Sequence, residues 1–192
     1  MSDDERVELP GSVGEHGLQD HFDTKERALR FYENSMHRSL NEVMKGFIEE
    51  RIMFFLSTAD ADGATDCSPR IGPRGFVTVL DDDHLCYPEY RGNGVHASLG
   101  NMQENSHASF LFVDWWDTTV GLHVNGRTTL RENIPEARDL VDVDTRKVWV
   151  ELEVEEAYIH CAKHVPQLSI VEFDPPWGAD DAEVKKSGFF SR

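Results

Sequence analysis

The chain has 192 residues, of which 39% are hydrophobic, and this is enough for one compact domain with a buried core. Its formal net charge of −17 argues against nucleic-acid backbones and anionic membrane surfaces as partners. The three cysteines, Cys67, Cys86 and Cys161, are irregularly spaced, which argues against a disulfide framework and favours a reducing compartment.

The N-terminus has neither the basic start nor the apolar run of a signal peptide. No apolar stretch approaches the length needed to span a membrane. We therefore expect a cytoplasmic protein without a membrane partner.

Residues 1–21 are acidic, contain glycine and show no periodicity, so they predict a loose N-terminal arm. Residues 22–192 are predicted to form a single domain that begins with helices. The first helical pattern starts near Thr24, and a second apolar stripe at helical spacing runs from Leu40 to Ile48. Ser39 and Asn41 are both candidate N-caps for the second helix.

The pattern then changes to that of strands. A turn signal, D-A-D-G at 60–63, predicts a hairpin after the first of them. Predicted strands cover residues 53–58, 76–80, 84–87, 108–113, 120–125 and 148–154, with short helices over 95–105 and 135–141. About six strands with only short helices between them favour an antiparallel barrel over a doubly wound sheet.

The segment 66–105 carries the chemistry of an anion pocket. It combines Arg70, Arg74 and Arg91 with glycines and small hydroxyl and amide side chains, which suits a phosphate. The arginines flank two predicted strands that are neighbours in sequence, and a hairpin would bring the strand ends within reach of one ligand. A second interpretation stays open, in which glycine and proline shape turns and the arginines offset the acidic surface.

Other sites have weaker sequence support. Neither a G-x-G-x-x-G nor a G-K-[ST] motif occurs, so the usual nucleotide-binding loops are not indicated, and no G-x-S-x-G marks a hydrolase. His84 and Cys86, with the cluster His160, Cys161 and His164, raise the alternatives of zinc or a haem ligand. Because the two groups lack a shared spacing motif, we predict no metal site.

The order of these segments resembles a known family. Along the chain stand F-F-L-S-T-A-D-x-D-G, S-P-R-x-G-P-x-G-F-V-x-V-L-D, L-x-Y-P-E-Y-R-G-N-G, S-L-G-N-M-x-E-N and L-H-V-N-G-R. Together they are similar to the pyridoxamine 5′-phosphate oxidase-like flavoproteins, in a branch apart from the oxidase itself. The resemblance spans about residues 47–130, and residues 155–163 resemble the closing strand of that branch.

The resemblance implies a mainly β fold with flanking helices, a six-stranded antiparallel split barrel that forms a homodimer and binds FMN at the dimer interface. By the same resemblance, the phosphate would meet Arg70 and Arg91, with Arg74 as the alternative to Arg70. The remaining expected cofactor-binding residues are Ser68, Phe76, Val77, Tyr87, Asn93, His96, Ser98 and Asn101. Among these, the backbone at Phe76 and Val77 would lie along the flavin ring.

The chain also departs from the oxidase. Where the oxidase has adjacent arginine and lysine, this chain has V-H-A-S at 95–98. The Arg-x-His substrate motif of the oxidase is absent from residues 174–192 of this chain. We therefore expect a flavin-dependent oxidoreductase that acts with an unidentified small-molecule substrate or electron donor. Catalytic residues are unknown, and His96 and His123 are the candidates to test. The alternative is a non-catalytic flavin- or haem-binding, stress-related module on the same fold.

Overall fold

The computed structural model describes residues 9–138, 140, 146–171, 173, 182–186 and 189–190, and for residues 146, 147 and 182 the backbone alone. The chain divides into two compact units, Met1–His37 and Arg38–Arg192. Among the described residues, no helix is both long and apolar enough to cross a membrane.

The first unit contains two helices, α1 (Val13–His21) and α2 (Lys25–Ser35), followed by the two-residue strand β1 (Met36–His37). α1 corrects the prediction that residues 1–21 form an arm without regular structure; residues 1–8 lie outside the described part. The helix begins at a capping box, because the Ser12 side chain accepts from the Glu15 amide while the Glu15 side chain accepts from the Ser12 amide.

The second unit alternates strands with short helices. In chain order its elements are α3 (Glu42–Glu49), β2 (Met53–Ala59), β3 (Thr65–Ile71), β4 (Thr78–Val79), β5 (His84–Tyr90), α4 (Ala97–Glu104), β6 (His107–Val113), β7 (Gly121–Arg131), β8 (Arg146–His160) and α5 (Ala182–Lys185). Asn41, one of the two predicted caps, begins α3 by accepting a hydrogen bond from the Met44 amide at 3.0 Å. The helix predicted over 95–105 is confirmed as α4.

The strands of the second unit form one antiparallel sheet in the order β3-β2-β6-β7-β8-β5-β4. The sheet curls into a half-barrel with helices beside it, which confirms the predicted split-barrel, α+β fold. The strand count differs from the predicted six, because this path has seven strands among the described residues. The additional strand is β3, which pairs with β2 and forms the return strand of the hairpin predicted at 60–63.

The main core lies on one face of this sheet, against α3 and α4. Along β2, buried and partly buried residues alternate strictly, as expected for a strand with one face in a core. Phe54 stacks on Phe110 at 4.7 Å between ring centroids and meets Tyr87 edge to face at 5.1 Å. Ile48 of α3 is fully buried in the same cluster, so this helix packs on the sheet through its apolar stripe.

β7 and β8 are longer than the predicted strands 120–125 and 148–154. The two strands pair over eleven registered positions with an irregularity between Asn125 and Gly126. A Cβ atom at Gly126 would lie 1.9 Å from the Glu153 carbonyl oxygen, so glycine lets the backbones approach at the bulge. The two strands stay paired on both sides of the bulge, whose extra residue, Glu155, interrupts the alternation of β8.

The short helix predicted over residues 135–141 is not found. The described residues 135–138 form a turn, and residues 139 and 141 lie outside the described part of the chain. Ile134 is buried beside Trp149 and Cys86, in a small cluster separate from the main core. The apolar residues of this segment therefore pack from an irregular backbone.

Candidate functional site

A cavity of about 320 Å³ lies where β3, the end of β5 and the start of α4 come together. Five of the predicted residues line it: Ser68, Arg70, Asn93, His96 and Ser98. The lining also includes residues that the sequence prediction did not select, of which Asp66, Glu89 and Tyr90 carry polar side chains. The structure therefore gathers part of the predicted set in one place and adds carboxylates to it.

β3 contributes three side chains to the cavity because successive side chains of a strand point to opposite faces. Asp66, Ser68 and Arg70 are two residues apart and are the partly buried positions of β3, whereas Cys67 and the other alternate positions are exposed. This alternation was the sequence signal that would have placed Asp66 beside Ser68 and Arg70.

Arg70 is held by a network that crosses from β3 to β5. Its Nε donates to Glu89 Oε2 at 2.8 Å, and its Nη1 donates to Ser68 Oγ at 2.7 Å. The Tyr87 hydroxyl donates to the same Glu89 oxygen at 3.1 Å. The Arg70 and Glu89 side chains are 16% and 15% exposed, so their ion pair is mostly buried at the edge of the open cavity.

The protonation states in this network follow from burial and charge. Burial alone would lower the pKa of Arg70, but Tyr87 and Glu89 raise it above its ordinary value, so the guanidinium stays charged. Burial, followed by the Glu89 carboxylate, raises the pKa of Tyr87 well above its ordinary value. Tyr87 therefore stays protonated and remains a donor to Glu89.

The route by which β3 meets β5 differs from the predicted one. The expected hairpin exists, with Thr78 opposite Cys86, but Arg70 lies within β3 and not at the end of that hairpin. β3 is one edge of the sheet, and four strands separate it from β5. The curl of the sheet brings them together, and the Arg70–Glu89 contact spans the opening.

The third wall of the cavity is the start of α4. The first N–H groups of an α-helix have no intrahelical partner and carry the positive end of the helix dipole. His96 is the N-cap, with a left-handed backbone (φ 57°), and Asn93 Oδ1 accepts from the Val95 amide at 2.9 Å in the preceding turn. This turn aims the N-terminus of α4 at the cavity.

Ser98 has a different bond from the one expected. Its buried hydroxyl donates to Asp66 Oδ2 at 3.0 Å, so the donor expected to reach a phosphate is held by a carboxylate of the chain itself. Asn101, also expected at the phosphate, donates its amide to Thr58 Oγ1 at 3.0 Å and ties α4 to β2.

The other predicted residues do not line this cavity. Arg74 forms an ion pair with Glu50 on the surface, so of the two alternative arginines the cavity contains Arg70. Arg91 is exposed and stands between two lining residues, Tyr90 and Gly92. The side chains of Phe76, Val77 and Tyr87 are buried in the main core.

The two candidate catalytic histidines are in different places. His96 lines the cavity. His123 lies on β7, where its Nε2 is 3.1 Å from Nδ1 of His160 and its ring stacks on Tyr158 at 4.7 Å. Burial, and then the neighbouring His160, lower the pKa of His123.

The cysteines and histidines considered as metal ligands do not group together. Within the described residues, no three side chains of histidine, cysteine, aspartate or glutamate are placed to hold a metal ion. His84 contacts Asp81 at 2.9 Å. Burial raises the pKa of the Cys86 thiol to about 12, so it is protonated at neutral pH.

Chemically, the cavity offers a planar guanidinium, an imidazole, a carboxamide and a helix N-terminus. Such groups bind phosphate esters, and the Arg70 fork still has donors besides those that Glu89 and Ser68 accept. The donor set therefore fits the phosphate of a flavin nucleotide, although two carboxylates stand beside it.

Solved structures of similar fold are known from several bacteria. HupZ of Group A Streptococcus is 18% identical, with a TM-score of 0.50 over 68% of this chain and 99% of that chain. A Lactobacillus delbrueckii protein described as a candidate pyridoxamine 5′-phosphate oxidase is 23% identical, with a TM-score of 0.49 over 64% of this chain and 95% of that one. HutZ, the haem storage protein of Vibrio cholerae, is 15% identical, with a TM-score of 0.43 over 62% and 94%.

No curated protein matches the chain. The family model described as pyridoxamine 5′-phosphate oxidase matches residues 40–161, which is more than half of the 192 residues and includes every strand from β2 to β8. The chain therefore belongs to the pyridoxamine 5′-phosphate oxidase family.

Proposed function

We propose that the chain binds FMN, with the phosphate in the cavity between β3, β5 and α4, and that it acts as a flavin-dependent oxidoreductase on a small molecule. The observation that carries this proposal is the meeting of Arg70, Asn93 and His96 with the N-terminus of α4 around one cavity. Membership of the pyridoxamine 5′-phosphate oxidase family supports it independently.

The size of the cavity supports a homodimer. At about 320 Å³ it lies at the lower end of the range of about 300–1,000 Å³ for small-molecule sites, and it opens to solvent. The cavity of one chain therefore has room for the phosphate and ribityl chain of FMN but little room for the flavin ring as well. In the proposed homodimer, a second copy of the chain completes the pocket for the ring.

The residues of the chain would bind and orient the cofactor. Arg70 would bind the phosphate through the part of its fork not held by Glu89 and Ser68, and the backbone N–H groups at the start of α4 would donate to the same group. The bound flavin supplies hydride or electron transfer, for which the side chains of the chain have no equivalent.

The test compares two arginine variants. Arg70→Ala removes the guanidinium in the cavity, and Arg74→Ala, the matched control, removes one that pairs with Glu50 outside it. We expect Arg70→Ala to weaken FMN binding by about tenfold or more, the loss of a charge-assisted contact, and Arg74→Ala to change it less than about twofold. Flavin fluorescence measures both. Equal FMN binding in the two variants, or no FMN binding by the unmodified protein, would contradict the proposal.

The second candidate is a non-catalytic binder of flavin or haem. His96 favours it, because an imidazole in a cavity lining is an ordinary axial ligand of haem iron. Absorbance after adding haem separates the two functions. A Soret band that shifts in His96→Ala would support the haem binder, and an unshifted band would argue against His96 as ligand. If FMN binds, reduction by a nicotinamide donor and turnover of an acceptor distinguish the oxidoreductase from a carrier.

A further inference from the structure

The arginine and carboxylate side chains give the cavity no net positive charge. Its lining contains one arginine, Arg70, against two carboxylates, Asp66 and Glu89, together with the imidazole of His96. Arg91, exposed between two lining residues, brings this count at most to zero. A phosphate entering the cavity thus meets as much negative as positive charge, inside a protein whose formal net charge is −17.

Both carboxylates occupy donors that a phosphate would use. Glu89 accepts from Arg70 Nε at 2.8 Å, and Asp66 accepts from the buried Ser98 hydroxyl at 3.0 Å, in the first turn of α4. The chain thus places its own anion at the helix end where an external anion is otherwise favoured.

We propose that Asp66 and Glu89 are specificity-determining residues that keep phosphate affinity low, so that the site takes a flavin nucleotide as an exchangeable ligand and not as a permanently held cofactor. This inference rests on the proposed FMN site. It assigns the flavin nucleotide the role of a ligand that enters and leaves, as a substrate or a diffusible electron carrier does.

The test neutralises each carboxylate while keeping its shape. In Asp66→Asn the carboxamide oxygen can still accept from Ser98, and in Glu89→Gln it can still accept from Arg70, so each variant removes charge with little change in contacts. The matched control is Asp83→Asn. It removes an exposed carboxylate at the other end of β5, about 20 Å from Glu89 at about 3.3 Å per residue.

The measurement is the Kd of FMN and of riboflavin, which lacks the phosphate, by flavin fluorescence. We expect Asp66→Asn to bind FMN about tenfold more tightly than the unmodified protein, because a like charge next to the phosphate is removed. Glu89→Gln should also gain affinity for FMN. Riboflavin binding by Asp66→Asn and Glu89→Gln should change less than about twofold, because riboflavin has no phosphate. FMN binding by Asp83→Asn should also change less than about twofold, because that charge is distant and screened. The unmodified protein should lose its FMN on dialysis.

Each alternative result has one meaning. If FMN binds the unmodified protein and neither neutral variant gains affinity, the two carboxylates do not set affinity and the inference is wrong. An equal gain for riboflavin would contradict it as well, since the effect would not involve the phosphate. Retention of stoichiometric FMN through dialysis would refute exchange. If no variant binds FMN, the proposed FMN site itself fails, and thermal unfolding of each variant establishes that it is folded.

Discussion

The contact between Arg70 and Glu89 provides a quantitative test of how the site is assembled. It joins the edge strand β3 to β5 across the opening of the curled sheet, and the two side chains are 16% and 15% exposed. Arg70→Met keeps much of the apolar stem and removes the guanidinium. Glu89→Gln removes the charge of the partner and keeps an acceptor. The two changes, alone and combined, form a double-mutant cycle.

The magnitude follows from the contacts. Breaking a buried ion pair from one side costs about 3–5 kcal/mol when the remaining charge has no other partner. Glu89 keeps the Tyr87 hydroxyl at 3.1 Å and borders a cavity open to solvent, so we expect about 2–3 kcal/mol for Arg70→Met. In the double variant no unpaired charge remains. Its loss should therefore be about 2 kcal/mol smaller than the sum of the single losses.

Urea unfolding measures the four free energies, with an unchanged m-value as the check that the variants unfold between the same states. The matched control is the same cycle at the exposed pair of Arg74 and Glu50, whose side chains are 64% and 55% exposed. That pair should give a coupling energy below about 1 kcal/mol. A coupling energy for Arg70 and Glu89 below about 0.5 kcal/mol, within ordinary additivity, would refute the view that this contact holds β3 to β5.

Two further predictions concern stability elsewhere in the second unit. Gly126→Ala should lower the free energy of unfolding by about 2 kcal/mol or more, because its Cβ would lie 1.9 Å from the Glu153 carbonyl oxygen; thermal unfolding against Gly92→Ala, where a Cβ would meet nothing within 4 Å, is the comparison. The hydrogen bond to Asp81 raises the pKa of His84 in the folded protein above its ordinary value of 6.5. The contact therefore stabilises the fold fully at pH values below the pKa of His84 in the unfolded chain, and this stabilisation is lost as the pH rises through the pKa in the folded protein. His84→Gln should therefore be less stable than the unmodified protein near pH 6, by less than about 1 kcal/mol since the contact is mostly exposed, and equal to it near pH 9. A constant difference across this range would show that the contact does not depend on the imidazolium.

Local patterns predicted most of the elements. The strict alternation of β2 buries one face of the strand, and in α3 the residues Met44, Phe47 and Ile48 pack in or against the core while Val43 is exposed. α1 was missed because it has no buried residue among those described, although the S-x-x-E signature of its capping box stands in the sequence. The full length of β8 was hidden by the bulge opposite Gly126, where the extra residue Glu155 interrupts the alternation of β8.

The candidate site was predicted in part, for a physical reason. Residues were selected by the ability of their side chains to donate to a phosphate, and this criterion found Arg70 and His96 but passed over Asp66 and Glu89. Neighbours across the opening of a curled sheet are not neighbours in sequence or in strand order, so no local pattern could pair Arg70 with Glu89. The alternation of β3, in contrast, already placed Asp66 on the face of Arg70.

The geometry of β3 makes the donors and the carboxylate inseparable parts of one site. A strand that turns Arg70 and Ser68 toward the cavity necessarily turns Asp66 toward it too, two positions earlier on the same face. Tight retention of a dianionic phosphate would favour a neutral residue at that position, since an asparagine also accepts from Ser98. In the proposed FMN site, the carboxylate would therefore lower phosphate affinity without being required for the contact it makes. The residues of β3 would then have two separate roles, with Arg70 recognising the phosphate and Asp66 limiting how tightly it is held.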